Sequence, residues 1–261
     1  MSLIRESNSI ERLAAELPAA VEDEQIVPFF QPQISVPTGR VVAAELLGRW
    51  RHPELGFVPP AVFIPIAEST RAIHQLGRQM LRAGCRAAAS WQSKGRPLDV
   101  AVNVAPSQLA TEEFYVSVRE ELESSGIDPT RLTLEVTEET VIADPALVAE
   151  RLDRLRDIGV VVSIDDFGAG HSSQSRVIDL RASELKLDRR LVAPDDSERS
   201  IATVIDFAHE RGIRTVGEGV ETRAQLDRLR VLGCDRAQGY LIAKPADEQQ
   251  FGEWLREYAR A

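Results

Sequence analysis

Five carboxylates, two amides and a lysine stand where short apolar runs of this chain hand over to loops. They are Glu45, Asn103, Glu135, Asp165, Asp166, Lys186, Glu218 and Gln238. Taken singly, an acid at a strand end is a helix cap or a solvated side chain. Gathered at one mouth, these acids would repel one another strongly without cations. Oxygen ligands without His or Cys favour Mg²⁺ or Mn²⁺ over Zn²⁺. His52, His74, His171 and His209 show no paired zinc-ligand spacing. The adjacent Asp165 and Asp166 suit a site where one carboxylate bridges two metals and its neighbour binds the second.

The elements that must position them alternate. Strands are expected at Phe29 to Val36, Val41 to Leu47, Asp99 to Val104, Arg131 to Val136, Gly159 to Ile164, Glu184 to Leu187, Arg214 to Val216 and Arg236 to Ile242. Several read as apolar on both faces, the habit of parallel strands under helices. Pro37-Thr38-Gly39-Arg40 is turn chemistry, so the first two strands form a hairpin and one pair is antiparallel. Helix signals lie between: Asp144-Pro145 as cap and first turn with Gly159 as stop, Asp196 or Ser197 as cap with Gly212 as stop, and a Thr222/Gln225 capping box. Phe251, Trp254, Leu255 and Tyr258 share a helical face and read as core. Residues up to about Val27 read as a lead-in helix with Ile10, Leu13 and Leu17 on one face. The alternation argues for α/β. With 261 residues and no G-x-G-x-x-G turn, a single barrel domain over 1–261 is expected rather than a dinucleotide-binding sheet.

Charge and composition narrow the partners. A formal net charge of -10 argues against a nucleic-acid polymer, while metals could still draw in a small anion. No stretch is long enough to span a membrane, and Cys85 and Cys234 lack C-x-x-C spacing and read as buried thiols. A cytoplasmic protein without a membrane partner is expected.

The ordered motifs resemble the EAL domain family of cyclic di-GMP phosphodiesterases over nearly the whole chain. They include Phe30-Gln31-Pro32, Glu45-Leu46-Leu47-Gly48-Arg49-Trp50-Arg51-His52-Pro53 and Phe63-Ile64-Pro65-Ile66-Ala67-Glu68. Asn103-Val104-Ala105-Pro106-Ser107-Gln108-Leu109, Leu134-Glu135-Val136-Thr137-Glu138, Asp165-Asp166-Phe167-Gly168-Ala169-Gly170, Glu218-Gly219-Val220-Glu221-Thr222 and Gln238-Gly239-Tyr240 complete the set. The resemblance implies a modified (β/α)8 TIM-type barrel with one antiparallel strand. It implies hydrolysis of cyclic di-GMP to linear pGpG with two metals. Glu45, Asn103, Glu135 and Asp165 would hold the first; Asp165 would bridge to the second, held also by Asp166 and by Glu218. Lys186 would orient the attacking water, and Glu218 is the family's proposed general base. Arg49 would pair with a substrate phosphate; Gln31, Leu47, Glu221 and Gln238 would line the groove. Glu138 would anchor the loop from Asp166 to Ser173. A homodimer and an upstream sensor domain are common in the family.

The sequence departs from the family pattern at Leu46, where Ala is usual, at Gly48, where an aliphatic residue is usual, and at Ala169, His171 and Gln174 in the loop. The extra volume of Leu46 is expected to be taken up through Gly48. Rival readings are a non-hydrolytic cyclic di-GMP receptor, a different metal-dependent barrel enzyme, and an interaction module.

Overall fold

Gly39 takes the left-handed conformation its turn needs, with φ 69°, and returns the chain from β1 (Ile26–Ser35) to β2 (Val41–His52). In the computed structural model, which describes residues 2–137, 145–168, 174–193 and 198–258, seven further strands follow. They are β3 (Gly56–Val58), β4 (Asp99–Val104), β5 (Leu132–Thr137), β6 (Val161–Phe167), β7 (Glu184–Leu187), β8 (Arg214–Gly217) and β9 (Arg236–Gln238). β1 pairs with both β2 and β9, which closes eight strands into a barrel and leaves β3 outside, on the free edge of β2. β1 runs antiparallel to both neighbours, and the remaining ring pairs are parallel. The barrel with one antiparallel strand is therefore the observed fold. Among the described residues no helix is long and apolar enough to cross a membrane.

Two expectations about the strands need correction. β2 runs five residues past Leu47 and turns back through Gly56, φ 70°, into β3. The polar Arg51 and His52 hid that extension. His52 fixes the turn, since its Nδ1 accepts from the Glu54 and Leu55 backbone N–H groups at 3.1 and 3.2 Å. At the other end β9 stops at Gln238, because Gly239 packs directly on the Val220 backbone and Ile242 N–H turns back to the Gly239 carbonyl.

Nor are the parallel strands apolar on both faces. The outward residues Val100, Val102, Leu132, Leu134, Val162, Ile164, Leu185 and Leu187 are buried under helices, as expected. The inward face instead buries Gln31, Gln33, Glu45, Thr133, Glu135, Ser163, Glu184, Lys186, Arg236 and Gln238. At the N-terminal end of the barrel Glu184 and Arg236, with Asp99, Arg131 and Arg214, form an ionic floor. Arg236 meets Asp99 at 2.7 Å and Glu184 at 3.7 Å, Arg214 meets Glu184 at 2.6 Å, and Arg131 meets Asp99 at 3.3 Å. Each buried charge has a partner, the condition for keeping it inside.

The helices fill their expected places. Helix Arg223–Val231 carries the Thr222/Gln225 capping box. Phe251 and Leu255 of Glu248–Tyr258 are buried, with Trp254 and Tyr258 packed against the core. Gly159 and Gly212 follow helices Pro145–Asp157 and Glu198–His209; the expected caps Asp144, Asp196 and Ser197 lie outside the described residues. The lead-in helix is Ser2–Glu22. Leu13, Leu17, Ala20 and Val21 of its apolar stripe are buried, whereas Ile10 is exposed.

Candidate active site

Strand register brings the predicted residues to one end of the barrel. Gln31 stands opposite Glu45, Asn103 opposite Glu135, Thr137 opposite Asp165 and Gln33 opposite Gln238. Glu218 follows β8, its N–H donated to the Leu187 carbonyl at 3.0 Å. Between β6 and β7 the register slips between Ile164 and Phe167, adding one residue to β6. Asp166 sits in that bulge with φ 56°. Neighbours in a regular strand face opposite ways, and the bulge re-aims one of them. Asp165, Asp166 and Glu218 can consequently each offer an oxygen within 4.8 Å of the others.

Lys186 holds the centre. Its ammonium lies 2.8 Å from Glu218, 3.0 Å from Glu135 and Asp165, and 3.5 Å from Glu45, and its side chain is 1% exposed. Asn103 donates to Glu45 Oε1 at 2.9 Å, and Gln238 donates to Glu45 Oε2 at 2.5 Å and to Gln31 at 3.1 Å. Four carboxyl groups thus crowd one ammonium. Burial, followed by the neighbouring Glu45, pushes the Glu135 carboxyl well above the usual carboxylate range. Burial also pushes Glu218 up to about 8, and raises Asp166 together with the charge of Asp165. Burial acts the same way on Glu45, but Lys186 and the Asn103 hydrogen bond outweigh it and hold that carboxyl down. The carboxylates keep Lys186 charged against the cost of its burial.

This donor set fits divalent cations. It is all oxygen, and buried Glu135 Oε2 has no hydrogen-bond partner, an uncompensated acceptor of the kind a cation satisfies.

The groove above is formed by two cavities that share Glu45, Leu47 and Asp165. One, of about 370 Å³, is lined by Gln31, Lys186, Glu218, Glu221 and Gln238. The other, of about 720 Å³, reaches from Arg49 and Asn103 to Phe63, Leu76 and Met80. Every expected groove residue therefore borders it. Asp188, Arg189 and Tyr240 line it as well; Tyr240 stood in a quoted motif, but nothing local in the sequence gave any of the three a place. Glu138, Ala169 and His171 lie outside the described residues, as does most of the loop.

Gly48 does not make the room for Leu46: a Cβ there would face Ile26, Phe63 and Met80, whereas Leu46 lies beside Gly84, where a Cβ would come within an ordinary 3.5 Å of it and within 3.0 Å of Val102. Leu46 points outward under helix Ile73–Ser93, so the inward-facing Glu45 is undisturbed.

The description of the EAL domain matches residues 14–245. The chain is 38% identical over 231 residues to the cyclic di-GMP phosphodiesterase PA2567 of Pseudomonas aeruginosa, covering 87% of this chain and 39% of that protein. It is 36% identical over 247 residues to the cyclic di-GMP phosphodiesterase RocR of the same organism, covering 91% and 63%. The chain thus spans less than two thirds of these relatives. Among solved structures, the PaMucR phosphodiesterase in its c-di-GMP complex superposes with a TM-score of 0.86 at 37% identity, over 92% of this chain and 99% of that one. By sequence, by strand order and by the polar centre of its barrel, the chain belongs to the EAL domain family.

Proposed function

We propose that this chain is a cyclic di-GMP phosphodiesterase that opens one phosphodiester bond to give linear pGpG, using two Mg²⁺ or Mn²⁺ ions. The observation that carries the reading is the buried Lys186 among Glu45, Glu135, Asp165 and Glu218 at the floor of a two-armed groove. Glu45, Asn103, Glu135 and Asp165 would hold one ion, and Asp165, Asp166 and Glu218 the other. When bound, such a pair would lower the pKa of a water and polarise the phosphodiester.

The remaining work falls to the chain's own side chains. Lys186 carries the fixed positive charge that faces the phosphoryl oxygens and orients the attacking water. The water oxygen forms a bond to phosphorus in line as the bond from phosphorus to the ribose 3′ oxygen breaks, and that oxygen takes a proton as it leaves. Glu218 accepts the water's proton at a carboxylate oxygen in its ionised form. Its metal role ranks first. Arg49 pairs with the substrate phosphate, and Gln31, Leu47, Glu221 and Gln238 line the groove. Glu138 anchors the loop beyond Asp166. The proposal extends to a cytoplasmic location, a homodimer and an upstream sensor domain, in keeping with the greater length of the relatives.

The test is the rate of cyclic di-GMP hydrolysis by Glu45→Ala, Asp165→Ala and Lys186→Ala, with folding followed by circular dichroism. Each is expected to fall at least about a hundredfold with the fold retained. Rates unchanged by all three would overturn these roles. Undiminished cyclic di-GMP binding by a wild-type chain that makes no product would turn the reading to a receptor.

A further inference from the structure

We propose that Phe57 is a positioning residue for substrate: it steadies Phe29, and through Phe29 the Arg49 guanidinium, beside the groove. The inference rests on the reading of Arg49 as the substrate-binding arginine. It begins with the unforeseen length of β2. Side chains on one face of a strand recur every second residue, so Glu45, Leu47, Arg49 and Arg51 share the face that looks into the barrel and then out past its mouth. Phe29 stands opposite Leu47 on β1, and Phe57 stands opposite Arg51 on β3. Both rings therefore lie on the face that carries Arg49.

The contacts form a chain. The Phe57 and Phe29 rings meet edge to face, with centroids 5.6 Å apart and planes at 81°, the arrangement aromatic pairs prefer. The Arg49 guanidinium carbon lies 5.8 Å from the Phe29 centroid, and the Arg51 carbon lies 5.7 Å from that of Phe57. Arg49 Nη1 also donates to the Gly48 carbonyl at 3.0 Å. One corner of the guanidinium is thus tied to backbone and its body rests on a ring, which leaves other N–H groups for an anion. Phe57 itself is 55% exposed, so the core does not account for it. Its place is fixed by the short β2–β3 turn that His52 holds. The function of such a chain is pre-ordering: a free arginine loses rotamer freedom when it binds, and a stacked one has lost much of it already. That benefit belongs to binding, since the rings do not touch the carboxylate centre.

The test is a double-mutant cycle on the full chain with cyclic di-GMP, measuring kcat and KM with Mg²⁺ and, by calorimetry in EDTA, Kd. Phe57→Ala is expected to raise KM and Kd about two- to fivefold, the weight of an exposed cation–π contact, and to change kcat less than twofold. Phe57→Trp, which keeps an aromatic edge, should restore both constants. In an Arg49→Ala background, Phe57→Ala should add nothing. A silent Phe57→Ala, a loss confined to kcat, or an effect that persists without Arg49 would each overturn the inference while leaving the activity standing. If Arg49→Ala itself changes neither KM nor Kd, the substrate reading of Arg49 falls, and this inference with it.

Discussion

Replacing Lys186 by Met removes one charge and keeps most of the volume. The ammonium has four carboxylate oxygens at 2.8 to 3.5 Å. At 3 Å and an effective dielectric constant of about 20, one such contact has a gross Coulomb energy of about 5.5 kcal/mol. Desolvation cancels much of this, and removal of one partner from a buried ionic group costs about 3–5 kcal/mol net. A domain of ordinary stability, about 5–15 kcal/mol, survives that loss only narrowly. The loss also has a sign in pH. Glu135 and Glu218 already hold their protons above the ordinary carboxylate value of 4.5, and without Lys186 they hold them more tightly. Above pH 4.5 the unfolded chain has released protons that the folded variant retains, so the variant's stability falls as pH rises from there to beyond about 8, the value Glu218 has with Lys186 in place. Urea unfolding in EDTA should therefore show Lys186→Met about 3–5 kcal/mol less stable than wild type at pH 8, with a smaller deficit at pH 6. Added Mn²⁺ should narrow the difference by supplying positive charge to the same carboxylates. A variant within about 1 kcal/mol of wild type at pH 8 would refute the picture of a lysine holding the acids together.

Three further outcomes follow from single positions. Asp166→Gly relieves a left-handed backbone at φ 56° and one of five crowded carboxyls; stability in EDTA should rise by up to about 1 kcal/mol while hydrolysis is lost, and a destabilised variant would count against the bulge. Leu46 is buried, so Leu46→Ala should cost about 2–4 kcal/mol although Ala is the family's usual residue, measured by thermal unfolding; an unchanged Tm would count against its packing under the helix. Burial pushes the Cys85 and Cys234 thiols up to about 12 and about 11, so neither should react with a thiol reagent at pH 8 until the protein is unfolded; fast labelling of the native chain would contradict their burial.

Much of the site was legible because carboxylates at strand ends have one meaning when the strands close into a ring. The hairpin followed from Gly39 and its turn, and the parallel strands from their outward Val, Ile and Leu. What escaped the sequence was set by distance or by register. The bulge at Asp165 and Asp166 is a slip against β7, and a slip has no local signature. The tail of β2 was hidden because Arg51 and His52 look like loop residues until Phe57 and Gly56 pair with them. Glu184, Arg214, Arg236 and Asp99 read as ordinary charged strand starts, and only closure turns them into a floor. Leu46 lies beside Gly84 on a helix, a neighbour that the sequence around Gly48 could not reveal. Closure likewise surrounds Lys186 with acids drawn from four separate strand ends.

The most direct test of the central claim is to incubate the purified chain with cyclic di-GMP and Mg²⁺ or Mn²⁺, with EDTA as control, and to separate the nucleotides by ion-exchange chromatography. The account predicts conversion to pGpG in either metal and none in EDTA. No product in either metal, or equal product in EDTA, would contradict it.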